Sequence, residues 1–253
     1  MRAYSGLVLS CSIALLAGCA ATREKQAAGF MPPEGQHRLV VMPPDVQAGY
    51  LTAGGKFQVR KDWSDRASGF VADALESYPM ASSRTIARSA AEAGADPAVV
   101  ESLLRLHDVV GRSIHLHKFE AYPLPTKKGD LDWTLGEQAV QYGRISGYDY
   151  ALFLRARDSF TSEGRTMLQV GAVTGCVLAD LATMGLTSWF CGIPLGGSQV
   201  AFVSLVDLKT GKVVWYGKLT SMIGDIRSEA GARALVQQLL RGLQPAGASG
   251  GPK

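Results

Sequence analysis

The stretch QVAFVSLVDLKTGKVVWYGKL, Gln199 to Leu219, leaves a folding chain the least choice. Two runs of branched and aromatic residues alternate with polar ones. Asp207-Leu-Lys-Thr-Gly211 lies between them, with Gly211 suited to a positive φ, so the pattern predicts a β-hairpin. YDYALFLRARDSF, from Tyr148, reads as a further strand. Ahead of it, Thr134-Leu-Gly-Glu137 has the form of a capping box, opening a helix to about Ile145 that Gly147 closes. After the hairpin, Ser228 to about Leu243 predicts an amphipathic helix with Ala232, Leu235, Val236, Leu239 and Leu240 inward.

Earlier in the chain, RLVVM (Arg38 to Met42) is a short strand ended by Pro43-Pro44, and KFQVR (Lys56 to Arg60) is a second, the pair forming the entry edge of a sheet. Ser64 is placed to cap a helix with Ala67, Phe70, Val71, Ala74 and Leu75 on one face, ended by Pro79. SSRTIARSAAEAG, from Ser82, reads as helix. Asp96-Pro97 opens another, with Gly111 as its stop, and RSIHLHKFEAY (Arg112 to Tyr122) alternates like a strand. The fold class is α/β (α+β): a mixed sheet with helices packed on it, an extra helical region at 81–120 and an apolar insertion at 166–200.

The amino terminus supplies an address. Arg2 precedes an apolar run too short to span a bilayer, ending Leu16-Ala17-Gly18-Cys19. That ending resembles the bacterial lipobox, which implies a signal peptide at 1–18 and covalent diacylglycerol plus an N-acyl chain on Cys19, with no other cofactor expected. More than one acyl chain gives stable anchoring, at about 0.8 kcal/mol per buried methylene. Ala20 in place of Asp implies the outer membrane, periplasmic face, with the inner membrane as the alternative. Residues 19–36, with Pro-Pro, Gly and no apolar period, read as a lipidated tether, 37–244 as the domain and 245–253 as a flexible tail.

With 26 Lys and Arg, 22 Asp and Glu, and Arg2 lost with the signal, the balance after processing is 25 minus 22, or +3. The basic residues are scattered, which argues against a nucleic-acid partner. Cys11 leaves with the signal and Cys19 takes the lipid. Cys176 and Cys191 remain as an even pair, and a disulfide closing a loop of about 15 residues would stabilise the fold by roughly 3 kcal/mol.

Helix, GYDYALFLRARD, connecting segment, VAFVSLVDLKTGKVVWYGKL and closing helix are together similar in layout to envelope lipoproteins related to the curli-secretion channel (CsgG-like), and to the amino-terminal domain of periplasmic TolB. The resemblance covers about Leu135 to Leu243. It implies a periplasmic binding or assembly module without enzymatic activity, partnered by another envelope protein or by itself.

Between Arg165 and Asp207 the one charged side chain is Asp180. Glycines and Pro194 break the run, against a spanning helix. It reads as buried core, as a docking surface presenting Leu168, Val170, Leu178, Leu186, Trp189 and Phe190, or, following the resemblance, as membrane hairpins of an oligomeric secretion or transport pore. A third class, a metal-dependent hydrolase, would use His107, His115 and His117, the last two projecting from one face of a strand, with Asp108 or Glu120 as base. No HExxH, GxSxG or P-loop pattern accompanies them.

Overall fold

The computed structural model describes residues 21–31, 37–79, 86–90, 93–94, 96–120, 122–127, 129–164, 166–167, 174, 197–221 and 225–243. Within them a mixed eight-stranded sheet carries helices on both faces. Its strands are β1 (Ala21–Gln26), β2 (Arg38–Val41), β3 (Asp45–Leu51), β4 (Phe57–Val59), β5 (Ile86–Ser89), β6 (Tyr150–Thr161), β7 (Gln199–Asp207) and β8 (Val213–Ser221). The helices are α1 (Lys61–Glu76), α2 (Pro97–Phe119), α3 (Glu137–Ser146) and α4 (Glu229–Leu239). No helix among the described residues is long and apolar enough to cross a membrane.

β6 is the spine. Its one edge pairs antiparallel with β7, which pairs with β8 across the expected hairpin, where Gly211 has φ 70°. Its other edge is shared: β2 runs parallel to it as far as Leu152, and β3 resumes at Arg155. Pro43 and Pro44 stand at the break. Having no N–H to give the ladder, they divide what would be one long strand into two. β2 is therefore interior, between β5 and β6, and not at an entry edge. β3, whose sequence DVQAGYL carries little apolar signal, pairs with β4 and places it at the margin.

Side chains alternate between two cores as strand geometry requires. Leu39, Val41, Leu152, Leu154, Trp215 and Leu219 meet α1 and α4 through Ala67, Val71, Leu75, Ala232, Leu235, Val236 and Leu239. Val40, Met42, Phe153 and Tyr216 meet α2 and α3 through Leu103, Ile114 and Tyr142. Asp96 caps α2 by accepting from the Ala98 N–H at 2.9 Å, and Ser228 caps α4 by accepting from the Gly231 N–H at 3.1 Å.

Several expectations are corrected. Residues 21–26, read as tether, form the edge strand β1, antiparallel to β8 from Ala21↔Thr220 to Gln26↔Trp215. SSRTIARSAAEAG contains β5, parallel to β2, so pairing overrides the helix propensity of its alanines. RSIHLHKFEAY is helical through Phe119. Gly111 does not stop that helix because it is packed inside the fold, its carbonyl accepting from the Tyr216 hydroxyl at 3.1 Å. Ser64 lies one turn inside α1, where its hydroxyl accepts from the Ala48 N–H and donates to the Arg60 carbonyl. The capping box at α3 does not form: Thr134 accepts from Gly136 N–H and donates to Gly211 across the hairpin, and Gly136 at φ 68° turns the chain into the helix.

Candidate functional site

The three histidines do not converge. His107 on α2 is partly buried, its ring stacked on Phe153 with centroids 4.2 Å apart, its Nε2 hydrogen-bonded to the Ser204 hydroxyl on β7. Burial pushes its pKa down to about 4, against the pull of Asp108 and with the push of Arg155. Ser204 is itself fully buried, whereas His107 is only partly covered and lines an open cleft with Pro43, Pro44, Asp45 and Arg105. His115 and His117 project about 200° apart on a helix, not side by side as on a strand. His115 lies 3.4 Å from Glu120 and against Phe202, and burial, then the Lys218 charge, hold its pKa down. His117 packs on Trp133, and its Nδ1 accepts from the Leu124 N–H at 2.7 Å. Asp108 is engaged by Arg112 and Arg155, Glu120 by Lys218. Among the described residues no group of three or more His, Cys, Asp or Glu side chains is placed to hold a metal.

Cys19, Cys176 and Cys191, with Leu168, Val170, Leu178, Leu186, Trp189 and Phe190, lie outside the described residues.

What the fold does bring together is one end of the sheet. Ala21, Thr220, Val200, Arg157 and Gln47 stand in a single transverse row across β1, β8, β7, β6 and β3. β1, which follows Cys19 by two positions, therefore enters the sheet at the end where β6 stops and β7 starts, the two strands that flank the apolar segment.

At the β3–β4 corner of that end, aromatic rings and arginines interleave. Trp63, near the start of α1, meets Tyr50 and Phe160 edge-on with centroids 6.3 and 5.7 Å away. Arg227, from the loop before α4, lies 3.5 Å from the Phe160 centroid and 4.6 Å from that of Trp63. Arg60 covers Trp63 from another side at 5.2 Å, and on the other face of the sheet Arg157 covers Phe57 at 5.0 Å. Such cation–π contacts contribute about 0.5–1 kcal/mol each where exposed.

A buried carboxylate holds this corner in shape. Asp158 accepts from the Ile226 N–H at 3.1 Å and from the Gln199 amide at 3.3 Å, tying the Arg227 loop to β6 and β7. Burial raises its pKa to about 6, the two hydrogen bonds pulling the other way. Asp225 then orients Arg227 through a pair at 2.8 Å, and that arginine holds its carboxyl below the ordinary range. Sequence reasoning passed over this cluster. KFQVRKDW, with Lys56, Phe57, Arg60, Lys61 and Trp63 close together, was the available signal, whereas Arg157, Phe160 and Arg227 come from distant segments.

On the opposite face, α2 and the loop at 122–125 frame an open groove of about 540 Å³ lined by Val109, Leu116, Tyr122, Leu124 and Arg112. Val109 and Tyr122 are 67% and 68% exposed, an unusual apolar display for one helix and its following loop.

No protein-family model matches the chain, and no curated protein matches it either. Among solved structures the chain is similar to the PelC dodecamer from Paraburkholderia phytofirmans, at 13% identity and TM-score 0.37 over 89% of this chain and 98% of that one. It is also similar to the LpoB C-terminal domain from Salmonella enterica, at 14% identity and TM-score 0.28 over 77% and 86%. Both likenesses are too loose to speak for function.

Proposed function

We propose that this chain is a lipoprotein anchored through Cys19 to the periplasmic face of the outer membrane, where its sheet domain serves as a non-enzymatic binding or assembly module. The observation that carries the reading is the start of β1 at Ala21. A lipobox cysteine two positions upstream makes the anchored residue the direct continuation of a sheet edge, so the anchor and the fold form one device. The open apolar groove beside α2 supports a binding role. The dispersed histidines give a hydrolytic role no support among the described residues.

Anchoring is tested by feeding labelled palmitate to a bacterium that makes the full-length chain. Label is expected in the parent and absent from Cys19→Ser, which is expected in the soluble periplasmic fraction. Equal label in the two forms, or none in the parent, overturns the reading.

A further inference from the structure

If Cys19 is acylated, the geometry of β1 decides which part of the domain meets the bilayer. Two residues of extended chain reach at most about 7 Å, so the corner of the sheet at Ala21 and Thr220 is held that close to the backbone of the lipid-bearing residue. A tether of eighteen residues would have let the domain roam at an r.m.s. distance of roughly 24 Å. The short leash fixes one corner and leaves the tilt of the sheet open.

The corner that sets the tilt lies across the same sheet end. From β1 through β8, β7, β6 and β3 to β4 there are five strand spacings, about 24 Å. There the chain places the side chains that favour a membrane–water interface, half-buried aromatic rings capped by arginines. Arg60, Lys61 and Arg227 already have carboxylate partners in Asp62, Asp65 and Asp225. Lys56 and Arg157, both exposed, have no carboxylate partner among the described residues; Arg157 donates only to the Gln47 amide oxygen. They are the cations at this end with charge to give to a phosphate.

We infer that the β3–β4 corner, through Phe57, Trp63, Lys56 and Arg157, is a second membrane contact that takes phospholipid headgroup phosphates and lays the end of the sheet flat on the bilayer. This rests on the anchoring reading. The occupant is lipid because the anchored residue and the cluster lie at two corners of the same end of one sheet. The far end, with the β7–β8 turn at Lys209, then points away from the membrane toward the periplasm.

The test places a photo-reactive p-benzoylphenylalanine at Ala53, in the exposed β3–β4 turn, or at Lys209, in full-length protein made in cells grown on radioactive phosphate. A phospholipid adduct carries phosphorus, which the diacylglycerol anchor does not. Labelling at 53 at least tenfold above that at 209 is expected, falling at least threefold when Lys56→Glu and Arg157→Glu are combined. Equal labelling at the two positions, none at 53, protein in place of lipid at 53, or no change in the reversal variant overturns the second contact. Palmitate incorporation, followed in the same samples, separates that result from failure of the anchor: a missing palmitate label removes both claims, whereas palmitate without a position-53 adduct removes only this one.

Discussion

Asp158→Asn is expected to make the protein more stable at pH 8, by up to about 3 kcal/mol, and to leave it no more stable than the parent near pH 4. The parent carboxylate is ionised at pH 8 in a buried site that opposes the charge, which is why its pKa rises from 3.8 to about 6. A raised pKa means that the stability from this group is fully present below 3.8 and is lost as pH climbs through 6, and about two units correspond to roughly 3 kcal/mol. Both the Ile226 N–H and the Gln199 amide donate to Oδ2 of Asp158, so an asparagine with its oxygen in that place keeps both hydrogen bonds. Urea unfolding followed by tryptophan fluorescence at pH 8 and pH 4 measures the difference. In a chain of this size the gain equals a rise in Tm of about 6–12 °C.

His107→Gln is expected to move the protein in the opposite sense along the same pH axis. The depressed pKa of His107 means that its contribution is fully present above 6.5 and is lost as pH falls through about 4, again roughly 3 kcal/mol. At pH 8 the variant gives up the Phe153 stacking and some packing, about 1–2 kcal/mol, while an amide can still hydrogen-bond Ser204. Below about pH 4.5 the parent carries the cost of holding this imidazole neutral while the unfolded chain protonates it, and the variant does not, so their order of stability reverses. Taken with Asp158, these titrations nearly cancel: acid weakens the His107 site over the window in which it relieves Asp158. Their combined contribution in the parent is close to flat between pH 4 and 6.5, and each single variant exposes the slope the other was masking. A parent whose stability fell by several kcal/mol across that window, with Asp158→Asn falling no faster, would refute the pair.

The legible parts of the fold were those with strong local signals. The hairpin at Gln199 to Ser221, the strand at Tyr150, the Asp96 cap and the inward stripe of α4 all stand as read, because alternation, cap chemistry and a positive-φ glycine act over a few residues. β3 and β5 were not legible. DVQAGYL and IARS gain their strand conformation from parallel pairing with β6 and β2, a relation between distant segments that local composition does not encode. β1 was hidden for the same reason, since ATREKQ is exposed along most of its length and takes its ladder from β8. At α2, Ile114 faces the sheet while Leu116 is half exposed, so a two-residue alternation marked a helix as a strand. The Arg–aromatic corner, the buried Asp158 and the His107–Ser204 pair each join residues brought together only by sheet register.

That register also dictates an order of assembly. Among the described strands β1 pairs only with β8, from the other end of the chain. A chain crossing a membrane amino terminus first must expose β1 long before β8 arrives to receive it. On the proposed anchoring at Cys19, the acylated residue would until then hold a slack polypeptide. On that proposal, closure of β1 on β8 would convert it into a tight coupling, and the joint between protein and lipid would be completed only with translocation.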